Sequence, residues 1–321
     1  MKHIIFPLYL ILCLLLSACG ARKQSSSPES EGDTLTLKYA KNLCIVKYND
    51  YTLATLRNPW DTTKVLRTYI LTDKSKPQPS SLPQGTLVQV PLSRSLVYSS
   101  VHCSLLDELE AVNQIKGVCD LSYISIPSIQ EGCRSGKITD AGNSMSPDIE
   151  KIIDMHPDAI LLSPYENSNG YGRIEKLNIP IIECADYMET SPLGRAEWMR
   201  FFGLLYGCEH KTDSLFAQVE KEYSDIKSKT SSLSERPSVF SELKIGSTWY
   251  VAGGNSTTSR FFADAGARYV FSQLPQSGSV ALSAEAVLDK AQDADFWLIK
   301  YNQDKDKTYT CLLYTSDAAD D

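Results

Sequence analysis

The sequence lacks an excess of positive charge and lacks the common catalytic signatures. Its 321 residues carry 32 Lys and Arg against 39 Asp and Glu, a formal net charge of -7. Nucleic-acid-binding proteins need a basic excess to contact phosphates, so nucleic acid is not expected as a partner. The motifs G-x-S-x-G, H-E-x-x-H and G-x-G-x-x-G, which mark hydrolases, zinc proteases and dinucleotide-binding folds, are absent. The sequence therefore predicts a protein that is not an enzyme and holds no cofactor.

Histidines and closely spaced cysteines are also scarce. No two of the nine cysteines have C-x-x-C spacing, so no zinc knuckle, redox motif or other metal site is predicted. Between the two terminal segments described below, six cysteines remain, and their spacing is compatible with disulfide bonds or with buried free thiols. They are Cys44, Cys103, Cys119, Cys133, Cys184 and Cys208. Among the histidines, His102 follows the first predicted core strand, which is where ligands of α/β proteins bind.

Residues 1–19 have the features of a lipoprotein signal peptide. A positive charge at position 2 precedes an apolar run at residues 4–16 that is too short to cross a bilayer. The tetrapeptide Leu-Ser-Ala-Cys that ends at Cys19 resembles the lipobox of bacterial lipoproteins, so Cys19 is the predicted lipidation site. Residues 20–34 are rich in Ser, Glu and Gly and predict a flexible tether. We therefore expect an exported protein that is lipid-anchored to the membrane and faces the periplasm or the cell surface.

The other end of the chain has an unusual composition. Residues 311–321, CLLYTSDAADD, closely resemble the in-frame translation of a transposase adapter used in preparing sequencing libraries. We expect this tail to be non-native and the natural chain to continue beyond Thr310. On that interpretation, the second lobe defined below is incomplete.

Between these ends, the pattern of apolar residues changes twice. Residues 35–91 alternate apolar and polar positions and predict a β-rich N-terminal segment. Residues 92–191 and 237–310 alternate short apolar strands with amphipathic helices, which predicts two lobes with mainly parallel sheets. Residues 192–236 predict one long linking helix, with Gly207 as a candidate break point. The predicted fold class is α/β, with two lobes joined by a single long helix and preceded by the β-rich segment.

Several stretches resemble one family of transport proteins. Residues 99–109, SSVHCSLLDEL, and residues 147–162, PDIEKIIDMHPDAILL, are similar to the N-terminal lobe of the iron-siderophore and cobalamin periplasmic binding proteins of ABC importers. Residues 185–198 and the segment WYVAGGNS at residues 249–256 resemble a lipoprotein branch of this family. The resemblance implies a class III periplasmic binding protein, a monomer that holds a ferric siderophore or a corrinoid between its lobes and delivers it to an ABC permease.

The resemblance also implies a set of ligand-binding residues on loops at the carboxyl ends of strands. Aromatic side chains suit the task, because planar ligands stack on rings while hydroxyl and indole N–H groups orient them. The adjacent aromatics Trp249 and Tyr250 are interpreted as a loop at the mouth of the second lobe. The predicted ligand-binding residues are Ser100, His102, Tyr123, Tyr165, Tyr187, Trp249, Tyr250 and Asn255.

Two glutamates match positions at which the family docks onto its permease. Glu150 in PDIE and Glu285 in LSAE each stand at the predicted start of a helix. The helix dipole also stabilises a carboxylate at such a position, so a purely structural role is the alternative.

Other functions are compatible with the same architecture. One is a protein that binds heme or a bare metal ion such as zinc or manganese, although such metal sites use several histidines and carboxylates. Another is a lipid-anchored α/β enzyme, because a fold alone does not fix a function. An enzyme requires a nucleophile and a base within reach of each other, and no such combination is recognisable in the sequence.

Overall fold

A five-stranded sheet opens the described part of the chain, which in this computed structural model comprises residues 32–166 and 170–299. The predictions for Cys19 and the signal peptide, and for the tail at residues 311–321, lie outside the described residues. The five strands are β1 (Asp33–Leu35), β2 (Leu43–Lys47), β3 (Thr52–Arg57), β4 (Val65–Asp73) and β5 (Thr86–Val90). They pair in sequence order, antiparallel up to β4, whereas β4 and β5 are parallel.

The N-terminal sheet shares its core with the domain that follows it. In β2, Leu43 and Ile45 are buried while Cys44 is exposed, which is the alternation expected when one face of a sheet is covered. Those buried residues belong to the same apolar cluster as Phe201 and Leu205 of the linking region. The β-rich segment is therefore an integral layer of the molecule.

The first lobe is built on a five-stranded parallel sheet. Its strands are β6 (Ser95–Val97), β7 (Ile115–Val118), β8 (Thr139–Asp140), β11 (Ala159–Leu162) and β12 (Ile181–Glu183). They lie in the order β12-β11-β6-β7-β8. Its helices are α1 (Ser100–Glu108), α2 (Pro127–Arg134) and α3 (Ile149–Met155), with a 3-10 helix at Gly172–Leu177. The short strands β9 (Gly142–Asn143) and β10 (Ser146–Pro147) form a hairpin before α3.

The region that the sequence predicts as one linking helix contains three helices in succession. They are α4 (Pro192–Glu197), α5 (Met199–Tyr206) and α6 (Glu209–Ser231). Gly207 ends α5 in the left-handed conformation, with φ +70°, which a residue with a side chain adopts only at a cost. The sequence predicts the break at Gly207, but no residue type in the sequence marks the junction between α4 and α5 at Trp198.

The second lobe contains two three-stranded sheets. The strands are β13 (Ser238–Ser241), β14 (Lys244–Ile245), β15 (Thr248–Ala252), β16 (Arg268–Tyr269), β17 (Ser279–Ser283) and β18 (Phe296–Leu298). The parallel sheet has the order β16-β13-β18, and the antiparallel sheet has the order β14-β15-β17. The helices are α7 (Thr257–Asp264) and α8 (Ala284–Ala291).

One local prediction in this lobe is wrong. The aromatic pair Trp249 and Tyr250 lies in strand β15 and not in a loop, and it pairs with Leu282 and Ala281 of β17. Along β15, burial alternates from Trp249 to Tyr250 to Val251, as a strand with one covered face requires. The sequence prediction missed the strand because its partner β17 is distant in sequence and its own apolar run is short.

Two buried carboxylates attach the N-terminal segment to the region between the lobes. Glu197 is fully buried and accepts hydrogen bonds from three consecutive backbone amides, those of Lys38 at 2.9 Å, Tyr39 at 2.7 Å and Ala40 at 2.8 Å. These amides precede β2 and have no strand partner there, so the carboxylate supplies the acceptors that the backbone requires.

Glu189 plays the corresponding role for the next residues of the same segment. Its carboxylate accepts from the amides of Lys41 and Asn42 and from the indole Nε1 of Trp198 at 2.9 Å. Its backbone carbonyl accepts a hydrogen bond from the hydroxyl of Thr257, at the start of α7 in the second lobe. The N-terminal segment, the linking region and the second lobe therefore meet at Glu189.

Within residues 32–166 and 170–299, no helix is both long enough and apolar enough to cross a bilayer.

Candidate functional site

The candidate site lies where strands β6 and β11 of the first lobe end. Tyr98 directly follows β6, and Tyr165 lies on the loop after β11. Carboxyl ends of parallel strands are the usual binding edge of an α/β sheet. Here they border a pocket of about 280 Å³, which we call the tyrosine pocket. Its principal lining residues are Tyr98, Met145, Leu162, Tyr165, Tyr171 and Arg173.

The tyrosine pocket offers aromatic rings, the exposed phenol of Tyr165 and one cation. Burial, together with the nearby Cys119 thiol and Asp120 carboxylate, raises the pKa of the Tyr98 phenol well above its ordinary value. The Tyr98 hydroxyl itself is buried, so Tyr98 contributes its ring to the pocket and not an exposed donor. Arg173 is exposed at the rim and contributes a positive charge. This combination suits a ligand that presents oxygen atoms and negative charge.

Behind the pocket, the buried carboxylate of Glu183 positions Tyr171. The Tyr171 hydroxyl donates to Glu183 Oε1 at 3.0 Å, and Arg67 Nε donates to the same oxygen at 2.9 Å. The Glu183 amide in turn donates to the hydroxyl of Tyr69 at 2.7 Å. Arg67 and Tyr69 belong to β4, so the N-terminal sheet supports one wall of the candidate site.

His102 does not line the tyrosine pocket. It is buried on α1, where its Nε2 lies 2.9 Å from Asp186 Oδ1, and Arg195 Nε donates to Asp186 Oδ2 at 3.1 Å. Burial alone raises the pKa of Asp186, but the hydrogen bond to His102 and the charge of Arg195 outweigh it, and the net pKa lies below the ordinary value. Asp186 is therefore an anion that fixes the orientation of the imidazole.

The other predicted residues of the first lobe are dispersed along the same edge. The Tyr187 hydroxyl donates to the carbonyl of Pro164 at 2.6 Å, next to Tyr165. Ser100 is half-buried at the first position of α1. Tyr123 lies on a 3-10 helix after β7 with 71% of its surface exposed. Of the predicted residues, the structure therefore brings Tyr165 and Tyr187 together.

In the second lobe, Trp249 is only 7% exposed and packs in the core, with ring centroids 6.0 Å from Phe240 and 5.8 Å from Trp297. Tyr250, on the opposite face of β15, is 47% exposed. Asn255 follows the strand and donates from Nδ2 to the carbonyl of Pro275 at 2.8 Å. The aromatic pair therefore offers one exposed ring, that of Tyr250.

Glu150 and Glu285 are both exposed near the starts of α3 and α8. The hydroxyl of Ser283 and the backbone amide of Glu285 itself lower the pKa of the Glu285 carboxyl, with the amide as the larger cause. Glu150 follows Asp148, whose side chain caps α3 by accepting from the amides of Glu150 and Lys151. Both glutamates are accessible to a partner protein.

Of the six pocket residues named above, only Tyr165 was predicted from the sequence. Tyr98 follows directly on a strand, and this position at a carboxyl end is a usable signal. Tyr171 and Arg173 belong to a segment without a periodic pattern, and only the fold brings them to Tyr98. Within the described part of the chain, no group of three or more His, Cys, Asp or Glu side chains is placed to hold a metal ion.

Two α/β lobes, a helical connection and a pocket at the carboxyl edge of a parallel sheet define a two-lobed binding protein. Residues 104–310 match the family model described as periplasmic binding protein, and the chain belongs to this family. The family groups binding proteins and not enzymes, as predicted. The parallel sheets agree with the predicted α/β fold class.

Known proteins extend the comparison. An uncharacterized lipoprotein of Methanocaldococcus jannaschii is 28% identical over 90% of this chain and 78% of its own length. A periplasmic binding protein from Veillonella parvula has a TM-score of 0.55 with 18% identity, covering 66% of this chain and 72% of that one. An ABC-type Fe3+-hydroxamate transport protein from Saccharomonospora viridis has a TM-score of 0.53 with 18% identity, covering 67% of this chain and 77% of that one. At this identity, the two solved structures show a shared fold.

Proposed function

We propose that this chain is the lipid-anchored binding component of an ABC importer and that it captures an iron-siderophore complex or a corrinoid. The tyrosine pocket carries this proposal. Three phenol side chains and a guanidinium converge at the edge of the first-lobe sheet, where binding proteins with this type of fold hold ligands.

The chemistry of the pocket favours a chelate over a bare ion. Direct coordination of iron needs a phenolate, which the raised pKa of Tyr98 disfavours. The exposed phenol of Tyr165 donates to ligand oxygens. Arg173 complements the negative charge that iron-chelating groups carry. A volume of about 280 Å³ receives one arm or one face of such a ligand, while the remainder extends out of the pocket. Among the similar structures, the Fe3+-hydroxamate transport protein supports the iron-chelate alternative.

Delivery to the permease is assigned to Glu150 and Glu285. Each is an exposed carboxylate near the start of a helix, one on each lobe, so a partner with two basic patches senses the spacing between the lobes. We expect the double variant Glu150→Ala, Glu285→Ala to bind ligand with unchanged affinity and to transport it poorly in whole cells. Weakened ligand binding in the double variant would contradict this assignment.

The ligand is tested by isothermal titration of the purified chain with a ferric trihydroxamate, a ferric catecholate, heme, cobalamin and zinc chloride. Binding of a ferric chelate or of cobalamin supports the proposal. Binding of heme or zinc alone, or of none of the five compounds, would overturn it.

A matched pair of variants tests the pocket itself. Arg173→Ala should weaken binding of the ligand by up to about fivefold, because Arg173 is exposed at the rim and an exposed ion pair contributes at most about 1 kcal/mol. Arg134→Ala, at the exposed end of α2 and outside the pocket, is the control and should leave affinity unchanged. Equal effects of the two substitutions would place the ligand elsewhere.

A further inference from the structure

The two helices that carry Glu150 and Glu285 share a short sequence pattern, one helix on each lobe. Residues 148–154 read DIEKIID, and residues 283–289 read SAEAVLD. In both, the first side chain caps the helix and the glutamate is the second helical residue. The residue two positions after the glutamate is fully buried in both, as Ile152 and as Val287. The two helices therefore present corresponding positions to their surroundings.

The residue three positions after each glutamate is a large apolar side chain that remains exposed. Ile153 is 49% exposed in α3, and Leu288 is 56% exposed in α8. Positions three apart are neighbours on the surface of a helix, so each apolar side chain lies beside its glutamate. A single exposed apolar residue needs no explanation. An exposed apolar residue at the same position of both helices indicates that one partner contacts both lobes in the same way.

Each of these helix surfaces also carries a second carboxylate. Asp154 and Asp289 directly follow the apolar residue and are exposed. Neither these two aspartates nor the two glutamates form an ion pair within the part of the chain that the structure describes. Lys151, the one cation in the two patterns, donates to the carbonyl of Asp140. Unpaired carboxylates around an exposed apolar side chain are complementary to a protein surface that combines a cation with an apolar depression.

We propose that Ile153 and Leu288 are apolar contacts with the permease, and that the permease presents the same cationic and apolar site to each lobe. The inference rests on the proposed function, in which Glu150 and Glu285 dock onto that partner. A permease with two identical subunits supplies two equivalent sites by symmetry. A second copy of this chain fits less well, because carboxylates would face carboxylates.

Binding of the purified Cys19→Ala chain, which cannot be lipidated at that position, to membrane vesicles tests the proposal. The vesicles are right-side-out and come from source cells that lack the gene for this chain, and protease-treated vesicles measure binding to lipid alone. Ile153→Ala and Leu288→Ala should each weaken binding about threefold to tenfold, because about half of one aliphatic side chain loses its burial. The double variant should show the product of the two effects.

Ile226→Ala is the matched control. Ile226 is 58% exposed on the linking helix α6, away from both patterns, so this variant should bind the vesicles as the unsubstituted chain does. An equal loss of binding in Ile226→Ala, or an effect of only one of the two lobe variants, would refute the pair of equivalent contacts. Sedimentation velocity measures self-association, and a dimer that Ile153→Ala or Leu288→Ala disperses would identify a second copy as the occupant and overturn the proposal.

The glutamate variants separate this inference from the proposed function. If Glu150→Ala, Glu285→Ala abolishes vesicle binding while Ile153→Ala and Leu288→Ala bind normally, only the apolar contacts are refuted. If the glutamate double variant binds normally too, or the unsubstituted chain binds only lipid or nothing, the docking assigned under the proposed function fails as well.

Discussion

Replacing Glu197 with glutamine tests whether a buried carboxylate holds the N-terminal segment in place. The substitution removes the negative charge and exchanges one acceptor oxygen for an amide donor, while the side chain keeps its shape. Oε2 accepts from Tyr39 and Ala40, and Oε1 accepts from Lys38. Only one of these oxygens survives, so at least one backbone amide faces a second donor. Hydrogen bonds to charged groups contribute about 1.5 to 3 kcal/mol each, so we expect Glu197→Gln to lower the free energy of unfolding by about 2 to 4 kcal/mol.

The measurement is urea unfolding followed by circular dichroism, combined with hydrogen exchange of the amides at residues 38–40. Exchange at those amides should accelerate in Glu197→Gln, because their acceptor is weakened. Glu220→Gln is the matched control: Glu220 bonds the Lys38 ammonium and the Tyr39 hydroxyl at the surface of the same segment, so its loss should matter far less. A loss below about 1 kcal/mol in Glu197→Gln, or equal losses in the two variants, would refute the reasoning.

Three further predictions concern other parts of the molecule. Gly254→Ala places a Cβ 2.2 Å from the backbone carbonyl oxygen of Ser272 and should lower the free energy of unfolding by about 1 to 3 kcal/mol in urea titrations, whereas Gly278→Ala, with open space around it, is the control. Asp186→Asn removes a carboxyl whose pKa in the folded chain lies below 3.8. The ionised carboxylate stabilises the folded chain above pH 3.8, and this contribution to the free energy of unfolding is lost as the pH falls through the pKa of the folded state. The difference in unfolding free energy between the unmodified chain and Asp186→Asn should therefore shrink on acidification below about pH 4, and a constant difference would argue against this ionisation. Cys19→Ala should move the protein from the membrane to the soluble exported fraction on cell fractionation, and retention on the membrane would contradict lipid anchoring.

The strand and helix alternation of the first lobe was predictable because its signals are local. The apolar run that begins at Ser95 forms β6, Ser99 caps α1 through a hydrogen bond from the Val101 amide, and Asp148 caps α3. Each of these features requires only neighbouring residues, so a single sequence contains the information.

The features that escaped prediction depend on contacts between distant residues. Trp249 and Tyr250 form a strand because β17 pairs with them, some thirty residues further along the chain. The tyrosine pocket assembles Tyr98 and Tyr171 from separate loops. Neither pattern is visible in a short window of sequence, since both arise from tertiary pairing.

The shared core of the N-terminal sheet has a consequence for the order in which the chain folds. The buried face of this sheet packs against Phe201 and Leu205. The amides of residues 38–40 donate to the carboxylate of Glu197, which lies 157 to 159 positions later in the chain. During synthesis, the sheet therefore leaves the ribosome long before the side chains that cover it exist. Contacts of such separation slow folding and leave apolar surface exposed in the meantime. A nascent chain that stops short of α5 should consequently be a good substrate for chaperones, and its first five strands should remain sensitive to protease until α5 has emerged.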